Sequence, residues 1–252
     1  MEPEKRWYCV RQRAGALVKE SRSIRPRLSS KDTPWEQTEK NKIRCPPRDS
    51  SVCRTRVDRL ELRLALFGYE GSVYTLTFDR EHEPETFQNV RKVWTSFLKR
   101  LKRWKKRNFD YVYLIEGRHG DHRYHIHAVF RDSDFSPAEI RFLWKFGMVD
   151  DQPLLKFPGD SYRRTAKYWN KEATDGVTIP LDARTWVPSK YLSRKIPPVE
   201  KWKDSSGSIP IPKDARCQGT YHTANSFGVY RYASYLLRKG ACANDIKYES
   251  LS

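Results

Sequence analysis

A chain of 252 residues has room for one large domain with extensions, and its mean hydropathy of -0.84 is low for a compact protein. The formal net charge of +18 comes from 49 Lys and Arg against 31 Asp and Glu, which favours a polyanion such as nucleic acid as partner. No stretch approaches the ~18 apolar residues of a membrane span, and the N-terminus lacks the apolar core of a signal peptide. We therefore expect no membrane partner and a cytoplasmic location.

The N-terminal segment, residues 1–56, is predicted to be a basic, largely irregular extension. Apolar residues are sparse there and follow no period, and the run 45–48 contains two prolines. Residues 57–66 alternate at first and fit either a short strand or a turn of helix. The folded domain is expected to occupy residues 57–200, with a C-terminal extension over 201–252.

A regular alternation of strands and helices begins after Gly71. The order of elements matches the split βαβ arrangement, so the expected fold class is α+β, with an antiparallel sheet and helices on one face. Residues 229–239 are predicted to form a further helix, because Gly240 suits its end. The predicted elements are a strand over 73–78, a helix over 84–107, strands over 111–116 and 123–130, a helix from Ser136-Pro137, a short strand within 148–157 and a helix from Asp160 or Ser161 to Lys171.

Two histidines separated by one apolar residue lie on the third predicted strand. Successive side chains of a strand point to opposite faces, so His125 and His127 share one face while Ile126 points into the core. Glu116 ends the strand expected to pair with this one, so its carboxylate can reach the same ion. Two imidazoles and a carboxylate leave positions for water and a phosphate oxygen, which is typical of a catalytic divalent-metal site. The alternative is a hydrogen-bonded structural histidine pair.

The last predicted helix carries a tyrosine and a lysine three residues apart, on one helix face. A neighbouring ammonium favours the phenolate form of a tyrosine, so Tyr168 can be a nucleophile with Lys171 as its electrostatic helper. The alternative is that Tyr168 and Trp169 are core aromatics and Lys171 is solvated.

Basic side chains cluster near the end of the long helix and around the tyrosine. Cations near a helix C-terminus are favourable in any case, so part of the first cluster could serve the helix alone. The residues predicted to contact DNA are Arg100, Arg103, Lys105, Lys106, Arg107, Arg163, Arg164, Lys167, Lys190, Arg194 and Lys195.

The order of these motifs resembles that of the HUH endonucleases, and within them the rolling-circle replication initiators of plasmids and small phages. The resemblance covers about residues 72–197. It rests on the apolar strand 73–78, Glu116, His125-Ile126-His127, the stretch Ala166-Lys167-Tyr168-Trp169-Asn170-Lys171-Glu172 and the basic Ser-Arg segment over 184–195.

The resemblance implies a site-specific endonuclease and ligase that acts on single-stranded or melted origin DNA. A divalent cation, Mg²⁺ or Mn²⁺, on Glu116, His125 and His127 would polarise the scissile phosphate. Tyr168 would attack it, leaving a covalent 5′-phosphotyrosine and a free 3′-hydroxyl that primes synthesis. The chain has no Walker A loop, so helicase and polymerase of a bacterial host cell are the expected partners.

Two further interpretations and two further tyrosines stay open. The same chemistry would serve a mobilisation relaxase or a single-strand transposase, and a non-catalytic nucleic-acid-binding module could use the same fold. Tyr162 lies six residues before Tyr168, which is not a same-face spacing, so a single nucleophile is expected. Tyr191, followed by Lys195, is the second candidate, ranked lower because the flanking prolines 188 and 197 disfavour a helix.

Overall fold

The structure is a computed structural model that describes residues 6–44, 53–117, 123–156, 160–171, 186–238 and 248–250. For residues 53–55, 171 and 248–250 it describes the backbone alone. The turn expected at 117–121 therefore falls largely outside the described residues. None of the helices in these ranges is long and apolar enough to cross a bilayer.

The described elements are strands and short to medium helices. The strands are β1 (Trp7–Ala14), β2 (Leu17–Ile24), β3 (Gly71–Thr77), β4 (Val112–Glu116), β5 (His125–Arg131), β6 (Val149–Pro153), β7 (Val187–Pro188), β8 (Glu200–Asp204), β9 (Pro210–Pro212), β10 (Arg216–Asn225), β11 (Gly228–Leu236) and β12 (Tyr248–Ser250). The helices are α1 (Pro34–Arg44), α2 (Cys53–Ala65), α3 (Phe87–Lys105), α4 (Pro137–Leu143), α5 (Tyr162–Lys171) and α6 (Lys190–Arg194).

Contacts divide the chain into two units. Residues 1–54 together with 197–252 form what we call the terminal unit, and residues 55–196 form the central unit. Each has its own five-stranded antiparallel sheet, in the order β10-β11-β2-β1-β8 in the terminal unit and β6-β3-β5-β4-β7 in the central unit. The predicted α+β class is confirmed.

The central unit contains the predicted split βαβ arrangement. Its chain order is β3-α3-β4-β5-α4-β6, and β5 pairs antiparallel with both β3 and β4. The helix connections place β3 and β4 on either side of β5, and β6 adds at the outer edge of β3. The two-residue strand β7 extends the sheet beyond β4. The register sets Thr75 opposite His127 and Glu116 opposite His125.

Helix α3 covers one face of this sheet. It begins where the side chain of Thr86 accepts the N–H of Asn89, and it ends where Lys106 takes a left-handed φ of 53°. Ser136 starts α4 with a capping box to Glu139, as predicted. The apolar side of α3 packs on the sheet and consists of Val90, Trp94, Phe97 and Leu101.

The N-terminal segment is not irregular, contrary to the prediction for residues 1–56. Strands β1 and β2 and helix α1 form there, and Glu20 is only 1% exposed in the middle of β2. Arg11 and Arg22 donate to the two carboxylate oxygens of Glu20 at 2.8 and 2.9 Å, and Arg22 also binds Asp204 at 2.8 Å. Because paired charges occupy inward positions, the apolar alternation typical of a strand is missing from the sequence.

The C-terminal helix predicted over 229–239 is also wrong. Gly228–Leu236 is strand β11, which pairs with β10 on one side and β2 on the other. Its Val and Tyr residues favour a strand, and the partner β2 lies about two hundred residues earlier, where local sequence patterns carry no signal. For residues 57–66, where strand and helix were both open, the structure shows helix α2.

Candidate active site

Strand β5 places two histidines on one face of the central sheet. His125 and His127 are partly buried, whereas Ile126 and Ala128 between and after them are fully buried in the core with α3. The alternation predicted from the His-x-His spacing is therefore confirmed.

Both ring nitrogens of His127 contact residues of the neighbouring strands. Its Nε2 lies 2.7 Å from Oε2 of Glu116, at the end of β4, and its Nδ1 lies 3.1 Å from Oγ1 of Thr75 on β3. The two charged side chains are mostly shielded, with 13% of His127 and 20% of Glu116 exposed. Three adjacent strands thus each contribute one polar group to a single point.

These contacts limit the charge states that the His127 site can hold. When Nδ1 carries the proton and donates to Thr75, the bare Nε2 and the Glu116 carboxylate are two acceptors 2.7 Å apart. Two acceptors at that distance repel unless a cation lies between them. When Nε2 carries the proton it donates to Glu116, and Thr75 donates to Nδ1. The pair therefore needs a proton or a metal ion between its two members.

His125, the third predicted ligand, lies on the same face one register position away. Its Cα lies opposite that of Glu116, whose carboxylate is turned to His127. Within the described ranges, no three His, Cys, Asp or Glu side chains come together as a group that could hold a metal ion. The donor types, imidazole and carboxylate, still suit Mn²⁺ and Mg²⁺.

Helix α5 lies against this histidine face, on the other side of the sheet from α3. The ring of Trp169 is 2% exposed, and its centroid lies 6.3 Å from that of His127. Tyr168, the preceding residue, is 51% exposed. Trp169 is thus a core aromatic and Tyr168 is not, which leaves the phenol accessible next to the His–Glu pair. Tyr162 is 1% exposed and cannot serve as a second accessible nucleophile in this fold.

Arg163, predicted to contact DNA, instead joins α5 to α2. Its Nη1 donates to Oδ1 of Asp58 at 2.7 Å and to Oε2 of Glu61 at 2.9 Å. The Glu61 side chain is only 2% exposed, and a buried carboxylate needs such a partner. Arg163 therefore holds the tyrosine helix in place, through two acids that lie about a hundred residues earlier in the chain.

The other predicted DNA-contacting cations fall into two groups. Some are engaged inside the chain: Arg100 donates to the carbonyl of Leu143, Lys105 pairs with Glu139, Arg107 with Asp134, and Lys195 with Asp110. The remainder are exposed, namely Arg103, Lys106, Arg164, Lys167, Lys190 and Arg194. Lys171 ends α5, and its side chain lies outside the described residues.

The second candidate tyrosine stands on a short helix, which the flanking prolines did not prevent. Ser189 caps α6 by accepting the N–H of Leu192 at 3.1 Å, and the two prolines lie outside the helix. Tyr191 is 45% exposed. Lys195, the cation that would assist it, binds Oδ2 of Asp110 at 2.6 Å. Tyr191 therefore has the exposure of a nucleophile but a helper whose charge is already compensated.

One comparison with known proteins gives a match. Residues 71–173 match a family of replication-associated proteins of the ORF2 type, over about two fifths of the chain. The matched segment contains Glu116, His125, His127 and Tyr168. No curated protein and no solved structure gives a significant match. The family match supports a role in DNA replication, and with it DNA binding, for the central unit.

Proposed function

We propose that this protein initiates rolling-circle replication by nicking and rejoining single-stranded origin DNA through a phosphotyrosine on Tyr168. The observation that carries the proposal is the position of α5 beside the His–Glu pair. Trp169 packs within 6.3 Å of the His127 ring, and the exposed Tyr168 is the residue next to it. The family match over residues 71–173 supports replication as the process.

The residues that would hold a divalent cation are Glu116 and His127, with His125 on the same face as the third candidate. When bound, Mg²⁺ or Mn²⁺ would supply Lewis-acid polarisation of the scissile phosphate. Thr75 would accept Nδ1–H of His127, so that Nε2 keeps its lone pair toward the Glu116 side. The need of this pair for a positive charge between its members supports the assignment.

Tyr168 would supply the nucleophile. Its phenolic oxygen forms a bond to phosphorus as the bond from phosphorus to the 3′-oxygen breaks. The phenolic proton is released, and the departing 3′-oxygen takes up a proton to become the 3′-hydroxyl that primes synthesis. Because the phosphodiester is replaced by a phosphotyrosine ester, attack by a 3′-hydroxyl rejoins the strand without ATP. Lys171 would favour the phenolate during the forward step.

The strand itself would lie along cations around the tyrosine. Arg164 and Lys167 are exposed on α5, and Lys190 and Arg194 are exposed on α6. Phosphate contacts of this kind give salt-sensitive binding without sequence preference. A host helicase and polymerase would then extend the 3′-hydroxyl.

A denaturing gel tests the proposal. Purified protein is mixed with labelled single-stranded origin DNA and Mn²⁺, with Tyr168→Phe and the similarly exposed Tyr191→Phe alongside. We expect an adduct that survives denaturant, requires the metal, vanishes in Tyr168→Phe and persists in Tyr191→Phe.

Other outcomes assign the protein differently. An adduct that persists in Tyr168→Phe and is lost in Tyr191→Phe moves the nucleophile to α6. If no adduct forms on any DNA while salt-sensitive binding survives chelation, the protein is a non-catalytic nucleic-acid-binding module.

A further inference from the structure

The outer face of α3 carries a row of exposed cations that the nicking chemistry does not use. The helix contains no Asp or Glu. Within the part of the chain that the structure describes, these cations have no side-chain hydrogen bond or ion pair, unlike Arg100 and Lys105 on the flanks of the same helix. We call the row the α3 stripe, and its members are Arg91, Lys92, Lys99, Lys102, Arg103 and Lys106.

The stripe is continuous and faces away from the core. At 3.6 residues per turn its members fall on one side of the helix, opposite the buried Trp94 and Phe97. From Arg91 to Lys106 the helix rises by about 22 Å, at 1.5 Å per residue. The other exposed side chains on this side are polar and neutral: Gln88, Thr95 and Ser96, which line a shallow groove with the basic residues.

Helix stability does not explain the stripe. Favourable interaction of cations with the helix dipole is confined to the last turn, whereas Arg91 and Lys92 lie near the start, where a cation is unfavourable. Like charges four residues apart, such as Lys99 and Arg103, destabilise a helix. A row of uncompensated cations that works against its own helix points to a polyanion that compensates them.

The stripe and the candidate active site lie on opposite faces of the central sheet. Trp94 packs with Ile126 in the core on the α3 side, while His127 points to the other side and contacts Trp169. A single strand in contact with Tyr168 therefore does not lie on the stripe at the same point. We propose that the α3 stripe is a second nucleic-acid surface, which binds the phosphate backbone of double-stranded DNA.

Duplex DNA fits the chemistry of the stripe better than a single strand. Surfaces for single strands use aromatic side chains on which bases stack, and the stripe has none. Trp104 at its end lies on the flank, donates to Glu139 and packs against Phe142. A duplex is recognised through phosphates alone, and its major groove admits an α-helix. The inference rests on the proposed function, because an initiator that cuts one strand must first hold the duplex that contains it.

The test compares duplex binding and single-strand cleavage in one variant. Arg91→Gln, Lys92→Gln and Lys99→Gln are combined, and binding to a labelled duplex is followed by fluorescence anisotropy over a range of salt concentrations. Loss of three phosphate contacts should lower the slope of log affinity against log salt by about 2.7 and weaken binding about 10- to 100-fold at low salt. Adduct formation on a short single strand should stay within about two-fold of the unmodified protein, because the stripe lies on the other face of the sheet.

Two controls separate a specific surface from general charge. Lys31→Gln, Lys201→Gln and Lys203→Gln together remove the same charge from exposed positions of the terminal unit, and should keep duplex affinity within about three-fold. Arg91→Lys with Lys92→Arg and Lys99→Arg retains the charges and should bind as the unmodified protein does.

Several results would overturn the inference. These are an unchanged salt slope in the stripe variant, equal weakening in the terminal-unit control, or duplex binding no stronger than that of the terminal-unit charges alone. A protein that forms no adduct but binds duplex through the stripe would contradict the proposed nicking function and leave this surface in place.

Discussion

The two faces of the central sheet are built from alternate residues of the same strands, yet they serve different ends. On the α3 face the rings of Trp94 and Tyr113 stack with centroids 4.6 Å apart, and Ile126 is completely buried. On the other face His127 and Glu116 form a shielded polar pair beside Trp169. Period-two alternation lets one strand carry a core and a reaction site independently. Stability and chemistry should therefore separate at neighbouring residues.

The largest expected effect is on chemistry, from His127→Ala. Loss of an outer partner of a metal ligand costs about 10- to 100-fold, so loss of the ligand itself should lower adduct formation by more than that. The free energy of unfolding should fall by only about 1 kcal/mol, the value of one partly exposed hydrogen bond. Gel assays and urea denaturation measure the two effects, and retention of most of the activity would remove His127 from the site.

The neighbouring residue should give the reverse result. Ile126→Ala opens a cavity in the α3-side core and should lower the free energy of unfolding by about 2–5 kcal/mol. Adduct formation per folded molecule should stay within about two-fold, because the side chain points away from His127. Urea denaturation followed by Trp fluorescence gives the stability. A variant that remains stable but inactive would show that the two faces are coupled.

The hydroxyl of Thr75 should affect metal affinity more than stability. Thr75→Val removes the contact to His127 Nδ1 and should weaken Mn²⁺ binding about 10- to 100-fold, as measured by isothermal titration calorimetry. Thr77→Val is the matched control on the same strand and face, since Thr77 donates to the carbonyl of Met148 instead. Equal loss in both variants would mean that Thr75 does not orient the histidine.

The smallest expected effect concerns pH and the α3 side only. Hydrogen bonds from Lys105, Trp104 and the Ser136 N–H lower the pKa of Glu139 from 4.5 to about 2. Because the folded pKa lies below the unfolded one, the contribution is full above pH 4.5 and is lost as pH falls toward 2. Glu139→Gln should be less stable than the unmodified protein at pH 7, and the difference should narrow as pH falls below about 4.5. Adduct formation at pH 7 should not change.

Much of the central unit can be predicted from the sequence, because its strands and helices follow apolar periods. The predicted strands, the cap at Ser136 and the shared face of His125 and His127 all agree with the structure. The terminal sheet could not be predicted, because Glu20 and its arginine partners occupy positions where a period-two pattern needs apolar residues.

Contacts between distant residues explain the remaining differences. The role of Thr75 follows from the strand register, and Arg163 meets Asp58 and Glu61 only in the folded chain. Thr75 could have been suspected once the strands were paired, since it lies on the same face of the neighbouring strand. The burial of Trp169 next to an exposed Tyr168 depends on how α5 sits on the sheet, which local sequence does not determine.

Peptide mass spectrometry tests the central claim most directly. Trypsin separates the three candidate tyrosines, because it releases Tyr168 in Tyr168–Lys171, Tyr191 in Tyr191–Arg194 and Tyr162 in 157–163. After reaction with origin DNA and Mn²⁺, and trimming of the DNA with nuclease, the mass of the remaining nucleotide should appear on Tyr168–Lys171. A nucleotide on either of the other two peptides, with Tyr168–Lys171 unmodified, would contradict the account.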